Sequence, residues 1–129
     1  MPEVTICIPA YNAASFIGQT IDSLLTQSFQ DYVIIISDNH STDDTVNIVK
    51  RYQKVDSRIL LTTCPQSFEN NSLKSISLSA IDNGNHLLSL AKTKYIALYH
   101  ADDLYNKNIL SEEVSFMHKH ENASAVFTM

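Results

Sequence analysis

Asp102 and Asp103, with His100 two positions before them, are the side chains in these 129 residues best suited to chemistry. Adjacent carboxylates can hold a hard divalent cation through oxygen, and the cation can then hold a phosphate. An isolated Asp-Asp pair more often makes a polar turn or caps a helix, so the pair's meaning depends on where the chain puts it. The run Tyr95-Ile96-Ala97-Leu98-Tyr99 before it is expected to be a strand covered on both faces. The acids then stand at a strand's carboxyl end, where open α/β sheets bind ligands. Two other strand ends carry polar or aromatic groups, Tyr11-Asn12 and Asp38. A tyrosine ring can stack on a base, and a carboxylate can accept a hydrogen bond from a base N–H. Together with acids able to hold metal on a diphosphate, these are the parts of a nucleotide site.

The elements that must position these groups follow from periodicity. Val4 to Ile8 reads as strand one, with Pro9 ending the ladder because it has no N–H to donate. Phe16, Ile17, Thr20, Ile21, Leu24 and Leu25 recur at helical spacing and predict a helix over roughly residues 13–28. Tyr32 to Ser37 is a β-branched second strand. Ser41 or Thr42 is the natural N-cap of a second helix, with Asp43 and Asp44 at its positive end and Lys50, Arg51 and Lys54 at the other. Arg58 to Thr63 is strand three. Residues 64–82 read two ways: serines alternate with Ile76, Leu78 and Ala80 as in a strand, while Leu73, Ile76, Ala80 and Ile81 fit a helix face. Asn83 to Lys92 predicts a short helix, Asn106 to His120 a longer one with Leu110, Val114 and Met117 inward, and Ala123 to Phe127 the start of a fifth strand.

Such alternation implies an α/β fold, a Rossmann-like, doubly wound and mainly parallel sheet with right-handed crossovers. Strand four is expected beside strand one, with strand two on its other side. Tyr11-Asn12, Asp38 and His100 to Asp103 then share one sheet edge, next to the switch point. Gly18 and Gly84 are the only glycines, and neither lies in a GxGxxG or Walker-type loop, which argues against a dinucleotide-binding or P-loop protein.

Composition narrows the class further. A chain of this length makes one domain with a core, and 44% hydrophobic and 18% charged residues suit a globular protein. Nine basic against fourteen acidic residues give a net charge of −5 without a basic block, so no nucleic-acid partner is expected. No membrane span and no secretion signal are visible, which makes a cytoplasmic location the expectation. Cys7 and Cys64 lack metal-ligand spacing and, two strands apart, stand on the order of 10 Å from each other; both are expected to be free thiols. His40, His86, His118 and His120 read as solvated.

Three motifs in order carry a resemblance: Ile8-Pro9-Ala10-Tyr11-Asn12, then Ile36-Ser37-Asp38-Asn39-His40-Ser41-Thr42-Asp43-Asp44-Thr45, then Ala91-Lys92 through Tyr95-Ile96-Ala97-Leu98 to Ala101-Asp102-Asp103. As a set they resemble the family 2 glycosyltransferases with a GT-A fold, over nearly the whole chain. The resemblance implies an inverting enzyme that moves a sugar from a nucleotide-diphosphate-sugar donor to a hydroxyl acceptor of unknown identity, with Mn2+ or Mg2+, in cell-envelope polysaccharide or glycoconjugate synthesis at the cytoplasmic membrane face. It assigns Pro9, Ala10, Tyr11, Asp38 and Asn85 to the donor nucleotide. Asp102 becomes the metal ligand, with Asp103 and His100 beside it. His100 stands where the family's first acid would be, and His40 where the family often has glycine. Family members run longer, so residues 1–129 are expected to be one nucleotide-sugar-binding domain of a longer chain, with the general base outside it. Two alternatives come from other classes: a non-catalytic nucleotide-sugar-binding module, and a nucleotidyltransferase. The latter would show a glycine-rich basic loop after strand one, which Pro9-Ala10-Tyr11-Asn12 is not.

Overall fold

Strands and helices alternate throughout the computed structural model, which describes residues 1–65 and 73–128. In chain order they are β1 (Val4–Ala10), α1 (Ile17–Leu25), β2 (Tyr32–Asp38), α2 (Thr45–Gln53), β3 (Ile59–Thr63), α3 (Leu73–Leu90), β4 (Tyr95–Leu98) and α4 (Ile109–Lys119). The sheet order is β3-β2-β1-β4 and every pairing is parallel. The expected neighbours of β1 are therefore the observed ones.

Side chains alternate across the sheet with period two. Ile6, Ile8, Ile34 and Ile36 point to one face, where they join Ile17, Ile21 and Leu24 of α1, Val49 of α2 and Leu110 and Val114 of α4 in a buried core. Burying each such side chain contributes roughly 1.5–3 kcal/mol. Cys7 and Ile35 point to the other face and meet Leu87 of α3. One helix does not cover that face: Ile96 and Leu98 of β4 are 45% and 52% exposed. The expectation that β4 is covered on both faces is corrected here. Cys7 and Cys64 are buried and free.

Pro9 acts on one side only. β1 pairs with β2 as far as Ala10↔Asp38, past the proline. Its pairing with β4 stops at Cys7↔Leu98, and Tyr99 N–H to the Cys7 carbonyl is the last bond. Bonding alternates sides along a strand, so the missing N–H of Pro9 would have faced β4. The ladder opens there, between the two strands that flank the switch point.

Several boundaries differ from the sequence reading, each for a local reason. α1 begins at Ile17 rather than near residue 13 because Phe16, at φ −127°, departs from the helical path. Ser41 and Thr42 do not cap α2; their side chains are turned toward the first loop, and Asp43 instead accepts the Thr45 N–H at 3.0 Å. The ambiguous stretch from Leu73 onward and the short helix from Asn83 form one helix of 18 residues. The rest of that stretch, residues 66–72, lies outside the described residues. Residues 123–127 join no strand of the sheet, so the expected fifth strand is absent among the described residues. No helix there is long and apolar enough to cross a membrane.

Candidate functional site

The loop after β1 is fastened to the loop after β2 by side chains. Asn12, Ala13 and Ala14 donate successive backbone N–H groups to Ser41 Oγ at 2.9 Å, Thr45 Oγ1 at 2.9 Å and Asp43 Oδ2 at 3.0 Å. The traffic also runs back: Asn12 Oδ1 accepts the Thr42 N–H at 2.8 Å and the Asp43 N–H at 3.3 Å. Asn12 has φ 47°, a left-handed conformation that asparagine tolerates better than most residues. Asp38, 4% exposed, accepts the Ser41 N–H at 3.0 Å and the Ser41 hydroxyl. Hydrogen bonds, first that from the Thr45 hydroxyl, hold the Asp43 carboxyl below its usual range. His40, at φ 58°, is exposed but engaged: its Nε2 lies 2.9 Å from the Cys64 carbonyl. It is not simply solvated, and His118 likewise pairs with Glu3.

The acidic loop is held differently, by its backbone. Thr20 and Ser23 of α1, with Gln27 just past its end, form a polar stripe. Thr20 Oγ1 donates to the Ala101 carbonyl at 2.9 Å, and Ser23 Oγ accepts the Tyr105 N–H at 3.1 Å. Gln27 donates to the Asn106 carbonyl at 2.7 Å and accepts the Leu110 N–H at 3.2 Å. Tyr105 stacks on Tyr99 with centroids 4.2 Å apart, and Tyr99 donates its hydroxyl to Glu113 Oε2 at 2.6 Å. Burial pushes the Tyr105 hydroxyl up to about 12; its bond with the His100 amide opposes this, while the Asp103 and Asp102 carboxylates add to it. His100, Asp102 and Asp103 themselves are exposed.

Strand order and register therefore bring Pro9, Ala10, Tyr11 and Asp38 together, with His100 to Asp103 following the strand on the other side of β1. Ala10 is buried opposite Asp38, and Tyr11 is 59% exposed at the edge. Asn85 is exposed on α3. The buried asparagine of that helix is Asn83, whose Nδ2 donates to the Ser37 carbonyl at 2.9 Å, one residue before Asp38. Sequence reasoning passed over Asn83, Thr20, Ser23 and Tyr105. The spacing of Thr20, Ser23 and Gln27 on one helical face was the signal available for the stripe.

Among the described residues no three His, Cys, Asp or Glu side chains converge so as to hold a metal ion by themselves. Asp102 and Asp103 nonetheless offer carboxylate oxygens, the donors that hard cations prefer. They fit a cation that takes one or two protein carboxylates and completes its shell with phosphate oxygens and water.

The Glycosyl transferase family 2 model matches residues 5–129. The chain belongs to that family. A Bacillus subtilis relative named for teichuronic acid biosynthesis, TuaG, is 34% identical over 90% of this chain and 42% of its own length. The Escherichia coli glucosyltransferase WfaP, named for a UDP-Glc donor and an α-D-GlcNAc-diphosphoundecaprenol acceptor, is 36% identical over 91% of this chain and 42% of its own. This family 2 chain thus spans less than half the length of these relatives. Among solved structures, Staphylococcus aureus TarS 1-349 in complex with UDP superposes with TM-score 0.75 at 21% identity, covering 92% of this chain and 33% of that one. The Pyrobaculum calidifontis mannosyltransferase PcManGT, in complex with GDP-Man and Mn2+, gives 0.69 at 23% identity, covering 90% and 32%. These likenesses show that the family 2 chain has the GT-A fold.

Proposed function

We propose that this chain is the donor-binding part of an inverting glycosyltransferase that moves a sugar from a nucleotide-diphosphate sugar to a hydroxyl acceptor. The observation that carries the reading is the sheet edge itself: two fastened loops at β1 and β2, and an acidic loop following the neighbouring strand, separated by the opening at Pro9. The fastened side suits a nucleoside, with Tyr11 exposed for stacking and Pro9, Ala10 and Asp38 forming the floor. Asn85, exposed on α3, is assigned to the donor nucleotide with them on the family resemblance alone. The acidic side suits the diphosphate. There Asp102, with Asp103 and His100 beside it, would hold Mn2+ or Mg2+. Such a cation supplies charge neutralisation for the leaving diphosphate. UDP, GDP-Man and Mn2+ in the complexes of structural neighbours support this division.

Relatives named for teichuronic acid and for undecaprenol-linked acceptors support a role in cell-envelope polysaccharide synthesis, with the protein peripheral at the cytoplasmic membrane face. The general base and the acceptor site are assigned to the part of the longer relatives that this chain does not match. A second reading, a nucleotide-sugar-binding module without catalysis, is favoured by His100 in the position of an acid. Sugar transfer measured with the full-length gene product excludes it.

Calorimetric titration of the chain with UDP, GDP and dTDP, with and without Mn2+, tests the donor site. One nucleotide is expected to bind, more tightly with Mn2+, and Asp102→Ala is expected to lose that gain. Absence of binding to all three under both conditions overturns the reading for this chain.

A further inference from the structure

Tyr95 and Tyr99 donate their N–H groups toward β1, to the carbonyls of Glu3 and Cys7. Bonding alternates along a strand, so the His100 N–H points to the opposite side, where no strand of the described residues pairs with β4. There it meets a hydroxyl: the His100 N–H donates to Tyr105 Oη at 2.7 Å. The loop from His100 to Tyr105 closes on itself through this bond. Tyr105 is not free to wander, because its ring stacks on Tyr99 at an interplanar angle of 13° and its own N–H donates to Ser23 Oγ at 3.1 Å. Tyr99 is in turn fixed by its bond to Glu113. The closure therefore joins the acidic loop to the β4 end, to α1 and to α4.

We infer that Tyr105 is a positioning residue for the acidic loop: its hydroxyl accepts the His100 N–H and sets the backbone that presents Asp102 and Asp103 to a cation and diphosphate. The role assigned to those acids rests on the donor-site reading above; the closure of the loop does not. Two bonds share the work. Thr20 holds the Ala101 carbonyl from the α1 side, and Tyr105 holds the His100 N–H from the other. Between them the segment His100-Ala101 that leads into Asp102 is fixed at both ends. Phenylalanine at 105 keeps the stacking surface but offers His100 nothing, leaving that N–H to water.

Tyr105→Phe tests this with two readouts in the full chain. Without metal, the His100 amide is expected to exchange with solvent slowly in the natural protein and about tenfold faster in the variant, the size of one ordinary hydrogen bond. With nucleotide, the variant is expected to keep the metal-free affinity for UDP, GDP or dTDP, whichever binds, and to lose about tenfold of the Mn2+-dependent gain. An unprotected His100 amide in the natural protein overturns the inference, as does an unchanged Mn2+ gain in the variant. Parallel loss of metal-free and metal-dependent binding also overturns it, since that marks a general structural role. If the natural chain shows no Mn2+ gain at all, the metal role given to Asp102 and Asp103 in the donor-site reading fails; the exchange comparison then still decides whether Tyr105 closes the loop.

Discussion

The two sides of the sheet edge are built in opposite ways. On the β1–β2 side, side chains are spent on structure: Asn12, Asp38, Ser41, Asp43 and Thr45 all engage one another or a neighbouring backbone. On the β4 side the backbone is held, by Thr20, Ser23 and Tyr105, and the carboxylates of Asp102 and Asp103 stay exposed. A rigid floor suits a flat, uncharged ring whose shape must be matched in advance. Exposed carboxylates on a fixed backbone suit a charged group, since a cation reaches them from solvent, whereas a carboxylate buried and fully paired to the protein would have to give up its partners. The same edge thus combines a pre-formed surface with an unspent charge.

Replacing one acid on each side is the strongest way to break this comparison. Asp38→Ala is expected to lower stability by about 2–3 kcal/mol, because a buried carboxylate loses two hydrogen bonds from Ser41. Asp102→Ala is expected to stay within about 0.5 kcal/mol of the natural protein, as exposed substitutions do. Urea unfolding of both variants measures this, and equal destabilisation would remove the distinction between the two sides.

A smaller effect separates geometry from bonding at Asn12. Asn12→Ala loses the acceptor for Thr42 and Asp43 and puts a less tolerant residue at φ 47°, at a cost of about 1–2 kcal/mol. Asn12→Gly relieves the backbone and loses only the bonds, so it should be the milder of the two in the same unfolding experiment. If glycine is as damaging as alanine, the side-chain bonds alone hold the loop.

The smallest effect is confined to acid. Asp43 is held below the ordinary carboxylate range, so its contribution is complete above the unfolded value, about 4. It is lost as pH falls through the lower, folded value. The natural protein should therefore lose stability on acidification more steeply than Asp43→Asn, and unfolding midpoints measured from neutral to acid pH will show whether it does.

Periodicity made the parallel α/β sheet legible, because short apolar runs alternating with helical spacing, each ending in polar residues, read as strands of such a sheet. Tyr32 to Asp38 and the run into Asp102 were readable for that reason. α3 was not, since serines alternating with Ile76 and Leu78 satisfy a period of two and of 3.6 together. The apolar residues 123–127 looked like a strand, yet a strand exists only where a neighbour accepts its bonds, and none does among the described residues. Pro9 was read as a full stop. Only the sheet showed which neighbour it stops.

By itself the sequence determined which residues would stand at the sheet's carboxyl edge, because strand ends and crossover handedness are local or general rules. It also carried the three motifs that place the chain in family 2. The tertiary structure decided how those residues are held. Partners in the fastened loops lie 29 to 32 residues apart, and those joining residues 20–27 to residues 101–110 lie 79 to 83 apart. No local pattern encodes such pairings. They exist because β1 lies between β2 and β4, which brings three distant loops to one edge, where Tyr105 accepts the His100 N–H.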